Sequence, residues 1–374
     1  MSLHEVVLKP ARLAPARSRW RAIEGRILAD VYRIHVAWFT ALVAGVMLLR
    51  NGAHGFNFNP ATDPTLKCFA DLSVTTADFR CHGLVIFALP KLLGLESLTQ
   101  WKLLHAGLTA GALLLAATLT FVTLGTGPRG RLALLWISAS SMPSVLLNPR
   151  EHYDVYTILG GTLLGLAPSP VVAALGGIVI GAANPEQALV AAAAWLIVAW
   201  GSRPRRVVIP GALGLGASAV CCMLYAALSA HTGDTRLEIL PAALGLSLRV
   251  AMQSGTMGLY ACYGAAWLLV AGWLLLDPAS TARKRRVALG MLLVPGLVTL
   301  ATRDGTRVFV CTAWPAFLAF LVQSLEETRE DADQPMETLS ALLVLSVALL
   351  PAFVRMKSGF SMPGINGWFR LKGL

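Results

Sequence analysis

Long apolar runs alternate with short polar breaks along the chain, and that spacing predicts a bundle of membrane-crossing helices. Stretches of roughly span length occur about eleven times. The first, residues 31–49, follows a basic N-terminal segment (1–30) that carries Lys9, Arg12, Arg17, Arg19, Arg21 and Arg26. It is long enough to span and runs directly into Arg50, so it reads as an uncleaved first helix rather than a signal peptide. Runs at 103–124, 132–147, 155–166, 171–183, 187–200, 207–230, 256–276, 287–301, 308–325 and 339–354 then cross in alternate directions. Two of them, 155–166 and 171–183, are short, which predicts tilted or broken helices sheltered inside the bundle. Residues 84–95 (LVIFALPKLLGL) are shorter still and contain Pro90 and Lys91. They predict an interfacial or re-entrant helix, with Trp101 and Lys102 as boundary anchors. With no internal repeat and no soluble domain, 1–374 reads as one all-α membrane domain, ending in an external tail at 355–374.

Composition supports that reading. Only 14% of the 374 residues are charged and 56% are hydrophobic, against about 25% charged in a soluble domain. Mean hydropathy is +0.64. The net charge of +11 could suggest nucleic acid, but the tight basic clusters at Arg129/Arg131, Arg203/Arg205/Arg206 and Arg283–Arg286 all fall in loops on one side. That is the positive-inside pattern, which makes the N-terminus cytoplasmic and leaves no nucleic-acid surface. Richness in Ala, Leu, Gly and Arg points to a GC-rich bacterial genome, hence a bacterial inner (plasma) membrane.

The same topology puts the long polar run 50–83 on the external face, between two hydrophobic blocks. It holds Asp63, Asp71, Asp78, His54, His82, Cys68 and Cys81. A loop of that length between spans is commonly functional. A carboxylate that deprotonates a hydroxyl needs partial burial and a nearby acceptor. Asp71, set among Phe69, Ala70, Leu72 and Val74, fits best; Asp78 can pair with Arg80, and Asp63 in ATDP fits a turn. Cys68 and Cys81 bracket Asp71 and Asp78, and a disulfide there suits an oxidising external compartment. A metal site using His54 and His82 is the rival, although no ligand-type spacing accompanies it.

Three further polar features fall on that face. NPREHYD (148–154) starts a helix after Pro149, with Arg150, His152, Tyr153 and Asp154 grouped there. Arg150 and Asp154 share a helical face, as an intrahelical ion pair or as a phosphate-binding Arg oriented by an acid. Glu186 follows Asn184-Pro185, either as a first-turn carboxylate favoured by the helix dipole or as a site acid. TRDGTR (302–307) places Arg303 and Arg307 around Asp304, a solvated loop or a fork for phosphate oxygens. Cys221, Cys222, Cys262 and Cys311 lie in predicted helices as packing residues. The chain has no GxSxG, HExxH, GxxxxGK or GxGxxG, so nucleotide-driven chemistry is disfavoured.

The run Asp71-Leu72-Ser73-Val74, with the following LVIFALPKLLGLESLTQWKLLHAGLTAGALL, resembles the GT-C integral-membrane glycosyltransferases. Within these it is similar to the polyprenyl-phosphate-mannose-dependent mannosyltransferases of the actinobacterial envelope. The likeness covers about the first half of the chain, and Thr75 departs from the Tyr usual in that subgroup. It implies a GT-C-like bundle with an interfacial helix after the first external loop, and a polyprenyl-phosphate sugar as donor. A glycolipid or polysaccharide acceptor would be glycosylated at the external face, in cell envelope biogenesis, with a first-loop Asp as base and Arg150, Arg303 or Arg307 on the phosphate. No cofactor or metal is then expected. Two other classes fit the same composition: a transporter or flippase of an anionic or lipid-linked solute, favoured by the broken segments near 167–185, and another envelope transferase (polymerase, ligase or acyltransferase) using His152 or His82.

Overall fold

The computed structural model describes residues 34–51, 92–95, 98–147, 153–228, 258–276, 280–300 and 305–326, two short strands at 354–356 and 359–361, and isolated positions at 89, 244–245, 248–249 and 252. In order the helices are α1 (Val36–Asn51), α2 (Leu98–Leu124), α3 (Pro128–Ala139), α4 (Met142–Leu147), α5 (Tyr153–Gly165), α6 (Pro170–Ala183), α7 (Pro185–Ala199) and α8 (Arg205–Leu228). There follow a broken helix over 258–276, whose second part is α9 (Trp267–Leu276), then α10 (Thr281–Ala288), a π-helical segment (Leu289–Leu293), α11 (Val294–Leu300) and α12 (Gly305–Glu326). Helices at Leu103–Leu124, Arg205–Leu224, Gly258–Leu275 and Gly305–Glu326 are long and apolar enough to cross a membrane, and Val36–Asn51, Pro170–Ala183 and Pro185–Ala199 are shorter apolar helices. The architecture is that of a polytopic helical bundle.

One element departs from the all-helical expectation. Val354–Met356 (β1) pairs antiparallel with Gly359–Ser361 (β2), Met356 opposite Gly359, in the region read as the end of the last span and the external tail. Val354 and Phe360 favour strand, and a glycine beside the reversal suits a hairpin. The first strand lies against α12.

Sequence signals place the helix ends. Gly125, at φ +81°, closes α2, its N–H bonding to Phe121 O at 2.9 Å. Ser169 caps α6, Asn184 caps α7 by accepting from Gln187 N at 3.3 Å, and Ser280 caps α10. Pro170 and Pro185 occupy the first helical positions, where their missing N–H is harmless. In the stretch read as an interfacial helix, Leu93 N donates to Leu89 O and Gly94 (φ +61°) ends the turn; 84–88, 90–91 and 96–97 lie outside the described residues. Trp101 and Lys102 fall inside α2, which begins at Leu98 and so extends the span upstream.

Side-chain contacts fix helix directions. Phe39 meets Arg131 and Asn51 meets Ser144, so α1 runs with α3–α4. His105 meets Tyr156 and Thr123 Oγ1 donates to Leu166 O, so α2 runs with α5. Asp154 meets Arg307, Thr162 meets Trp314, and Gly165 abuts Leu318, so α5 runs with α12. Gly160 abuts Gly176 and Ile180, which turns α6 back, while Gly177 and Gly181 abut Gly211 and Ser218, so α8 follows α6. Tyr263 packs on Phe309 and Trp273 on Phe320, which aligns 258–276 with α12. Tyr263 also meets Met291 and Trp273 meets Arg283, so 281–300 runs back. Successive segments therefore alternate in direction, as the hydrophobic pattern predicts.

Every residue of α12 from Gly305 to Leu325 is buried. A helix apolar on all sides belongs at the centre of a bundle, and glycines let its neighbours close on it. A Cβ at Gly161 would meet Trp314 at 2.9 Å, and one at Gly165 would meet Pro315 O at 2.9 Å. Likewise α6 lies against α8, where a Cβ at Gly177 would collide with the backbone oxygen of Gly211 and reach Leu215 N at 2.7 Å.

Two segments read as continuous spans are broken. The 132–147 run divides at Ser140–Ser141, where Ser140 Oγ donates to Ile137 O (2.7 Å) and accepts from Met142 N (3.2 Å), ahead of Pro143. Helix 258–276 is interrupted by the 3-10 turn Gly264–Ala266, with Gly264 at φ +59°. The breaks meet: a Cβ on Gly264 would stand 2.9 Å from Ala139 O. The π segment has its own cause. Pro295 cannot offer an N–H to Met291 O, four residues back, and the Tyr263 hydroxyl donates to that carbonyl at 2.7 Å instead.

Gly177→Ala is expected to push α6 from α8 and cost about 1–3 kcal/mol, seen as a lower thermal midpoint in detergent, whereas Gly216→Ala, which meets nothing within 4 Å in mid-helix, does not lower the midpoint and raises it slightly.

Candidate functional site

The alternation sorts polar groups to two ends. At one end lie Arg50, Asn51, Asp154, Asn184, Glu186, Gln187, Thr306 and Arg307; at the other lie the basic clusters around Arg131, Arg203 and Arg283–Arg286. The first end gathers the described residues of all four polar features picked out in the sequence, Arg50 and Asn51 standing for the run 50–83.

Its centre is a buried ion pair. Arg307, on the first turn of α12, places Nη1 3.6 Å from Oδ1 of Asp154, on the first turn of α5. Asp154 is 1% exposed and Arg307 9%. The Cys311 thiol, one turn along α12, lies 3.7 Å from the same carboxylate oxygen. Asp154 at a helix N-terminus is favoured by the dipole, but Arg307 at another is not, so the acid offsets the cation's position as well as its charge. Because α5 and α12 run parallel, their N-termini share this end. That of α7 shares it too, since at the far end Arg203 joins all three C-terminal turns. Its Nη2 donates to Ala167 O at 2.7 Å, and Nη1 lies 3.9 Å from Glu326. Burial lowers the Arg203 pKa and Glu326 works against that shift.

Beside the pair, the ring of His105 on α2 stands edge-on to Tyr156 on α5, centroids 6.1 Å apart, and both are buried with Thr109. Across the end, Arg50 donates to Ser138 O (3.1 Å) and shares a hydrogen bond with Tyr260, while Ser144 donates to Asn51 Oδ1 at 2.5 Å. A small cavity of about 10 Å³, room for roughly one water, lies at the junction of the two helix breaks, between Ser140, Ser141, Tyr263 and Trp314.

Of the residues singled out in the sequence, the structure brings Asp154 and Arg307 into contact. Glu186 is half-buried in the first turn of α7. Tyr153 is the first residue of α5. Asp63, Asp71, Asp78, Cys68, Cys81, Arg150, His152, Arg303 and Asp304 lie outside the described residues, as do the loop 231–243 and the run 327–353. Local spacing groups Asp154 with Arg150 and Arg307 with Arg303; the contact seen joins the two motifs to each other. Cys311, read as packing, touches the pair, and nothing in its local sequence signals this. Cys222 and Cys262 are buried as expected, whereas Cys221 is exposed on α8. Among the described residues no three His, Cys, Asp or Glu side chains cluster as metal ligands would.

Fold and site together describe a helical, multi-pass membrane-type bundle with a buried charge pair at one end. Compared with known proteins, the chain matches no family model, no curated protein and no solved structure.

Removing one member of a buried pair strands the other. Arg307→Met is expected to cost about 3–5 kcal/mol, and adding Asp154→Asn to recover part of it, so that the double variant melts above Arg307→Met alone.

Proposed function

We propose that this protein is a membrane glycosyltransferase of GT-C type. It moves a sugar from a polyprenyl-phosphate donor to a lipid or glycan acceptor at the external face of a bacterial inner membrane. The carrying observation is Arg307, held by Asp154 at the end shared by the N-termini of α5, α7 and α12. When an acceptor hydroxyl attacks the anomeric carbon, the C–O bond to phosphate breaks and the polyprenyl phosphate leaves with an added negative charge. Helix N-termini and a fixed guanidinium stabilise such a charge without nucleotide or metal. Asp154 orients Arg307, Glu186 lies at the same end, and a first-loop acid, Asp71 ahead of Asp78 and Asp63, takes the hydroxyl proton. The basic clusters at the other end fit a cytoplasmic face.

The test is transfer from a panel of radiolabelled polyprenyl-phosphate sugars, comparing wild type with Asp71→Asn, Asp78→Asn, Asp63→Asn and Arg307→Lys. One Asp variant loses transfer and the other two keep it. Arg307→Lys, which keeps charge but not the fork, lowers kcat/KM about 10²-fold. Absence of transfer from every donor sinks the proposal, and loss in His152→Ala with all three Asp variants active moves it to an acyltransferase.

A transporter is the second reading, favoured by the meeting of two broken helices at Ser140–Ser141 and Gly264. It predicts that cysteines placed beside this junction are labelled from both sides of the membrane, where a glycosyltransferase predicts one.

A further inference from the structure

Four arginines of the second end form two pairs of opposite placement. Arg203 and Arg283 turn inward. Arg203 binds Ala167 O and Glu326, and Arg283 lies over Trp273 (5.3 Å) with Gln323, whose amide oxygen, turned toward the guanidinium, accepts at 2.6 Å from both Nη2 and Nε. Arg205 and Arg286 stay on the surface, and among the described residues no carboxylate pairs with either.

Those two converge on one turn. The Arg205 guanidinium stands 5.8 Å from the ring centroid of Trp200, itself 53% exposed, and Arg286 lies against Gly201, where any Cβ would overlap its Nη1. Each also heads an apolar stripe. Arg205 is followed at helical spacing by Ile209 (46% exposed) and Leu213 (66%), and Arg286 by Leu289 (40%), Leu293 (52%) and Leu297 (59%). A cation at the head of an outward apolar stripe, beside an exposed tryptophan, matches the section of a leaflet from headgroup to acyl chain.

We propose that the Trp200–Gly201 turn is a binding site for an anionic phospholipid. Its phosphate lies between Arg205 and Arg286, and its chains follow the stripes on α8 and on the helix 286–297. Guanidinium forks suit phosphate oxygens, and basic residues between helices at this depth recruit acidic headgroups. The site is at the opposite end from Asp154 and Arg307 and does not depend on the activity proposed there.

The test uses the full chain, delipidated in neutral detergent, with phosphatidylglycerol, phosphatidylcholine or inorganic phosphate added and the thermal midpoint measured. Phosphatidylglycerol raises the midpoint by several degrees, as a ligand of the folded state does; phosphatidylcholine and phosphate do not. Arg205→Gln with Arg286→Gln abolishes the increment, whereas Lys284→Gln, on the other face of α10, keeps it. Should the double variant not fold, Gly201→Leu serves: it preserves every charge but displaces Arg286, and it reduces the increment. Equal shifts with phosphatidylcholine overturn the charge requirement, and equal shifts with phosphate overturn the lipid. An equal loss in Lys284→Gln replaces the site with diffuse attraction.

Discussion

Enclosure of α12 is the constraint on which the bundle depends. A helix with no outward face must be covered on every side, by aromatic packing from 258–276 and by close approach where a neighbour's side chains are small. Gly161 and Gly165 bring α5 close, Gly160 and Gly176 bring α6 onto α5, and Gly177 and Gly181 bring α8 onto α6. Because α5 has helices on two of its faces, it stays buried though only 13 residues long. At about 1.5 Å per residue it falls well short of a hydrocarbon core roughly 30 Å thick; its neighbours, rather than lipid, set its surroundings.

That enclosure makes the Asp154–Arg307 contact workable. In lipid either charge alone would be costly; between packed helices each supplies the other's counter-charge. The parallel arrangement adds a polarity: the N-terminal turns of α5 and α12 meet at the pair, and at the other end Arg203 binds Ala167 O just past α5 and reaches Glu326, the last residue of α12.

How much was legible in the sequence follows from which interactions are local. Caps and breaks written in adjacent residues were readable: Asn184-Pro185, Ser169-Pro170 and Gly125 end or begin helices where the pattern puts them. The alternation of directions followed from the run lengths. The break at Ser140–Ser141 did not, because its neighbours are apolar and the serines satisfy the opened backbone themselves. The π segment was equally hidden, since its stabilising partner Tyr263 lies in another helix. The site divides similarly. Asp154 and Arg307 stood out as ions near apolar runs, but their pairing is a tertiary fact, and Cys311 acquires its position only through it.

The pair also bears on how the chain is made. Asp154 leaves the ribosome first, and at about 5–20 residues per second the roughly 150 residues before Arg307 take on the order of 10–30 s. Throughout that interval α5 is a short helix carrying an acid without its cation and lacking the central helix it packs on. It therefore consolidates only after α12 has been made, despite its early place in the chain.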